Sequence, residues 1–224
     1  MRRRAPIERP EDSRRFTDDA LDELRAGRWS PRAWARFTLG CCVRSCEQVH
    51  AHRRAALEVT ALHLALLPLA RRRPLTLLAG WLMAVTHLGL LGPDVQSIGP
   101  ATALSLARAQ LPPSTAAPLS AMASDVADGW LARRTQVTAF GAYADALADV
   151  TFWTRFGLDC GGRLPAVLAL AAWAIPAAAI TTAYFARGRT IDYPRPLWMR
   201  CLSAALQCAI AATTLVRLNR SREG

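Results

Sequence analysis

The chain has 224 residues, enough for one domain or one compact membrane bundle, and carries a formal net charge of +11 from 28 basic and 17 acidic residues. All of the basic residues are arginine, and they flank apolar segments (Arg71 to Arg73, Arg187 and Arg189) without an aromatic-interleaved basic groove. That placement favours a membrane surface and argues against nucleic acid as a partner. The six cysteines lie in helix-like sequence without a disulfide-framework spacing, and Cys46 with His50 and His52 fits no familiar zinc pattern.

In chain order, residues 1–30 read as a flexible cytoplasmic segment with a short acidic helix over Asp18 to Leu24. The first apolar run starts too late for a cleavable secretory signal. Residues 31–54 mix aromatic and apolar groups with arginines at helical intervals. The pattern suits an N-terminal amphipathic helix at the lipid headgroup boundary, and equally a soluble linker helix. Apolar segments follow at Ala55–Ala70, Leu75–Leu91, Pro100–Leu111, Thr115–Leu131, Val137–Leu158, Leu164–Ala186 and Leu197–Val216. About 20 residues are needed to cross a bilayer core, so several qualify, and Leu164–Ala186 most clearly. Pro100–Leu111 is too short to cross alone unless the Pro112-Pro113 region continues it. No alternating strand pattern occurs, so the expected fold is all-α: a polytopic transmembrane helix bundle of about six spans.

Inside this apolar sequence lie four aspartates, Asp125, Asp128, Asp145 and Asp149, the only acidic residues between Val95 and Leu158. The spacing within each pair, three and four residues, puts its members on one helix face, about 40–60° apart around the axis. Two consecutive helices thus each present two carboxylates. An ionised carboxylate within a membrane costs on the order of 3 kcal/mol, so four together must be protonated or neutralised. Two divalent ions would balance them, and hard oxygen ligands suit Mg²⁺ or Mn²⁺. Paired ions about 4 Å apart commonly stabilise phosphoryl displacement. The plain alternative is a solvated helix end whose acids pair with Arg133 and Arg134. The small residues Gly129, Ala132 and Gly141 speak for close approach of a helix or a flat ligand instead.

Asp125-x-x-Asp128-Gly129-x-x-Ala132-Arg133, followed by Gly141-x-x-x-Asp145-x-x-x-Asp149, resembles the signature of the CDP-alcohol phosphatidyltransferases. Upstream, Thr102-x-Leu104-Ser105-x-x-Arg108 is similar to the segment that opens the family's first core helix, with Thr102 and Ser105 where asparagine and threonine are usual. The resemblance implies an integral-membrane enzyme of phospholipid biosynthesis. It would divide the chain into an interfacial region (1–54), additional membrane helices (55–98) and a transferase-like core (99–224). An alcohol acceptor would attack the β-phosphorus of a CDP-linked lipid such as CDP-diacylglycerol, and CMP would leave. Asp125, Asp128, Asp145 and Asp149 would hold two Mg²⁺ or Mn²⁺ ions, with Asp149 also the general base. Asp125, Gly129, Ala132 and Arg133 would line the nucleotide site. The resemblance further implies a homodimer, contacts with membrane lipids, and an active site on the cytoplasmic side of the cell membrane.

Between Arg133 and Gly141 lie seven residues, one fewer than the family's usual eight, so the joining turn should be tight. The interval from Thr102 to Asp125 is also short, which should cramp the first core helix. Arg187, Arg189 and Arg195 are candidates either for an acceptor phosphate or for anchoring a loop at headgroups. Two other functions are compatible with buried acids: a divalent-cation or proton transporter, and a catalytically inactive membrane scaffold.

Overall fold

The computed structural model describes residues 10–71, 73–114, 116–189, 204–213 and 216. Among them the fold is all-helical. In chain order the helices are α1 (Pro10–Ala26), α2 (Pro31–Ala51), α3 (Arg53–Leu66), α4 (Pro74–Thr86), α5 (Gly99–Arg108), α6 (Ala117–Arg134), α7 (Ala139–Phe156), α8 (Arg163–Arg187) and α9 (Ala204–Thr213). A 3₁₀ turn, Leu88–Leu91, follows α4, and a single π turn, Gly157–Gly161, joins α7 to α8.

Local chemistry sets the helix starts. Proline opens α2, α4, α5 and α6 within the first two positions, where its missing N–H removes nothing the helix needs. Ser30 caps α2 by accepting from the Ala33 amide at 3.3 Å, and Thr138 caps α7 by accepting from the Gly141 amide at 2.9 Å. At the far end of α8, Gly188 takes the left-handed conformation (φ 69°) that closes a helix, and its N–H bonds the Tyr184 carbonyl. The acidic helix expected over Asp18 to Leu24 is longer than predicted, running through all of α1.

α1 and α2 form a hairpin whose turn places Arg28 and Trp29 at positive φ. Tyr184 of α8 donates to Asp22 of α1 at 2.5 Å, which fastens this hairpin to the bundle. His52, fully buried at the α2–α3 junction, donates its Nδ1–H to the Val95 carbonyl at 3.2 Å, and burial holds its imidazole below the ordinary value. Glu58 of α3 accepts from Ser97 Oγ and the Ile98 amide, so α3 secures the N-terminal end of α5.

Two apolar clusters flank the centre. One joins Val59, Ala84, Leu88, Leu106, Phe140 and Ala144 from α3, α4, α5 and α7 with the 3₁₀ turn. The other joins Ala117, Ala121, Phe152, Trp153, Ala169 and Ile210 from α6 to α9. A side chain added at Gly157 would meet the Ala166 backbone nitrogen at 2.7 Å, so only glycine lets α8 turn back this closely beside α7. Among the described residues, α8 is the one helix long and apolar enough to cross a bilayer; its Leu164, Val167, Leu168, Leu170 and Ile175 face outward, away from the chain. The ten-residue α5 spans only about 15 Å and ends at Arg108 instead of continuing through Pro112-Pro113. The cramped first core helix expected from the sequence is therefore a short one.

Candidate metal and phosphate centre

α5 packs against both α6 and α7, and its last residue decides what lies between them. Arg108 is 2% exposed, and its guanidinium points into the space where the aspartate-bearing faces meet. Nη1 donates to Asp125 at 3.3 Å and Asp128 at 3.0 Å, both on α6. Nη2 pairs with Asp145 and, at 3.2 Å, with Asp149, both on α7. Each arm of one guanidinium thus holds the carboxylate pair of one helix, the fork geometry for which arginine is suited and lysine is not.

The four acids sit at different depths. Asp128 is buried and forms the floor, where Ser105 Oγ donates to its Oδ2 at 2.6 Å. Asp145 and Asp149 are half-buried, whereas the Asp125 side chain is 54% exposed and marks the mouth. The result is a cup open on one side. Asp125, Asp145 and Asp149 each offer an oxygen within 4.8 Å of the others, close enough for one ion to touch all three.

That donor set fits a divalent cation. It is all oxygen and anionic, as hard ions prefer. Four ionised carboxylates against one guanidinium leave a formal charge of −3, which a single arginine does not neutralise.

The chain from α6 to α7 positions the pairs. Only residues 135–138 lie between the two helices, the tight turn the shortened spacing calls for. Gly141 lies close to α5: a Cβ there would stand 3.4 Å from Thr102 Oγ1 and 3.2 Å from Thr138 Oγ1. A Cβ at Gly129, by contrast, would stand 3.4 Å from Arg133 Nη1. Among the described residues no other helix comes within 4 Å of a Cβ built at Gly129. Ala132 and Arg133 follow on the same helix. Arg134 stacks over the Trp130 ring, 3.9 Å from its centroid. The ion pairs of the four acids run to Arg108 of α5. Arg187 and Arg189 are exposed around the end of α8, and Arg195 lies outside the described residues.

Sequence reasoning did not assign Arg108 a role in the site. The available signal was that it is the only charged residue in the segment from Pro100 to Leu111.

These features define a helical, carboxylate-lined cup suited to a divalent cation. Residues 94–221, more than half of the chain, match the family model for CDP-alcohol phosphatidyltransferase, and the chain belongs to that family. No curated protein and no solved structure matches it. Membership identifies a membrane-associated transferase of phospholipid biosynthesis that moves a phosphatidyl group from a CDP-alcohol, in a family that uses divalent metal ions.

Proposed function

We propose that this protein transfers the phosphatidyl group of a CDP-linked lipid such as CDP-diacylglycerol to a small alcohol, releasing CMP. The observation that carries the reading is the convergence of Asp125, Asp128, Asp145 and Asp149 from two helices on one half-open cup. Two Mg²⁺ or Mn²⁺ ions held there would supply positive charge against the pyrophosphate and its developing negative charge.

The chain's own groups divide the remaining work. Asp125, Asp128 and Asp145 bind and orient the ionic centre, with Ser105 fixing the rotamer of Asp128 through its hydrogen bond. Asp149 takes the proton from the acceptor hydroxyl as that oxygen attacks the β-phosphorus. The phosphoanhydride bond breaks, and its electron pair leaves with CMP. Gly129 and Ala132 leave space beside Asp128 for the nucleotide, and Arg133 contacts its phosphate. Arg187 and Arg189 serve the acceptor end or the headgroup layer, and Arg195 is assigned with them on sequence grounds.

The protein is a multi-pass protein of the cell membrane in this reading. Arg133 and Arg134 at the α6–α7 turn support a cytoplasmic side for that end of the bundle, where CDP-lipids are used. The α1–α2 hairpin lies at the cytoplasmic headgroups, and two copies form a dimer, as the family resemblance implies. Family membership favours the transferase over a cation relay, which does not require Gly129, Ala132 and Arg133 at their offsets.

The test is incubation of the purified protein with labelled CDP-diacylglycerol and a panel of alcohols: glycerol 3-phosphate, inositol phosphate and serine. A labelled phosphatidyl product appearing with stoichiometric CMP supports the reading. CDP-lipid left intact with every alcohol would overturn it.

A further inference from the structure

Arg108 does more than line the cup. Its side chain is fully buried, and its two terminal nitrogens are engaged with all four aspartates. Those contacts use Oδ1 of Asp125, Asp145 and Asp149, the acids whose oxygens are grouped closely enough to ligate an ion. The same carboxylates cannot be fully shared: a divalent ion among them would stand within a few ångströms of the guanidinium, and like charges at that distance in a partly dry site repel strongly. Without Arg108, on the other hand, four carboxylates would face one another across α6 and α7 with no opposite charge between them.

We propose that Arg108 is a resident counter-ion that competes with divalent cations for the four aspartates. It holds α6 and α7 in register when the cup carries no metal, and it yields the exposed, mouth-side acids when the cup is filled. Asp128 is the anchor that stays: it is buried, bonded to Ser105, and 3.0 Å from Nη1. Two consequences follow for metal loading. The cup is preassembled, so binding does not have to gather the ligands. Its affinity for a bare cation is lower than four carboxylates alone would give.

This inference rests on the reading that the cup holds a divalent cation. The full chain in detergent would be titrated with Mn²⁺, following the loss of the free-ion paramagnetic signal, for the wild type, Arg108→Gln and Arg108→Lys. Thermal unfolding of each would be recorded in chelator and in saturating Mn²⁺. Arg108→Gln should bind Mn²⁺ at least about tenfold more tightly, the scale expected when a like charge a few ångströms away is removed. It should unfold at a lower temperature than the wild type in chelator and show the larger upward shift with Mn²⁺. Arg108→Lys keeps the charge but cannot fork between two helices, so its gain in affinity should be smaller. If the glutamine variant folds only with Mn²⁺ present, the counter-ion role is supported; if it fails to fold in both conditions, the lysine variant decides by the direction of its affinity change. Mn²⁺ binding no tighter than wild type in the variants that fold would overturn the competition. A wild type that binds no Mn²⁺ would overturn the metal reading beneath it as well, so the two failures are distinguishable.

Discussion

Among the described residues of the family-matched segment two arginines are buried, and their surroundings differ in kind. Arg155 of α7 donates through Nη1 to the Ala109 carbonyl at 2.6 Å and to Gln110 Oε1, and through Nη2 to the Leu111 carbonyl at 3.1 Å. Those are neutral acceptors just beyond the C-terminal end of α5, two of them backbone carbonyls. Arg155 is therefore a staple, holding the chain where α5 stops. Arg108, one residue before that stapled stretch, meets four carboxylates instead and cannot balance them. A buried cation whose terminal nitrogens meet neutral acceptors serves the structure. One outnumbered by acids marks a place where further positive charge belongs.

The contrast can be broken most severely at the floor of the cup. Asp128→Asn keeps shape but removes the buried charge beside Ser105, and should weaken CDP-lipid binding and lower CMP release by about a thousandfold or more. Binding and turnover near wild type would show that the cup is not the site. Asp149→Asn should be milder in one respect. CDP-lipid binding should persist, because Asp125, Asp128 and Asp145 remain, while turnover falls by roughly 10²–10⁴-fold, the usual contribution of a positioned base. Parallel titrations of CDP-lipid binding and CMP release separate the two roles.

At the staple the readout should change from chemistry to stability. Arg155→Met retains most of the stem but strands the carbonyls of Ala109 and Leu111. It should cost about 1–3 kcal/mol, read as a lower thermal midpoint in detergent. Turnover of the folded fraction should stay within several-fold of wild type. An unchanged midpoint with abolished turnover would erase the distinction between the two arginines. The smallest effect is expected at Gly129→Ala: among the described residues the added methyl meets just the far end of Arg133, so folding should be untouched while KM for the CDP-lipid rises a few-fold. A KM equal to wild type would remove Gly129 from the nucleotide site.

The same contrast shows what the sequence made legible. The aspartate pairs could be read because spacings of three and four are local helical geometry, and the structure does bring all four together. The helices were equally visible: the apolar run Val137–Leu158 is observed as Ala139–Phe156, and Leu164–Ala186 as Arg163–Arg187. The partner of the acids was not legible. The plain alternative paired them with the neighbouring Arg133 and Arg134, yet Arg108 reaches Asp125 and Asp145 across 17 and 37 residues. That pairing is made by the packing of α5 onto α6 and α7, which no single-helix periodicity encodes. The position of Arg108 depends likewise on where α5 ends. Pro112-Pro113 discourage helix in the residues just before them, and Arg155, 46 residues away from Ala109, holds the result.

The central claim is that the four-aspartate cup performs metal-dependent transfer. Its most direct test follows CMP release from CDP-diacylglycerol by the purified protein, with an acceptor the panel has shown to work, in Mg²⁺, after excess chelator, and after Mg²⁺ is restored. The account predicts turnover in Mg²⁺, loss to background with chelator, and recovery on restoration, with none of the three in Asp125→Asn. Undiminished CMP release from metal-free protein would contradict it.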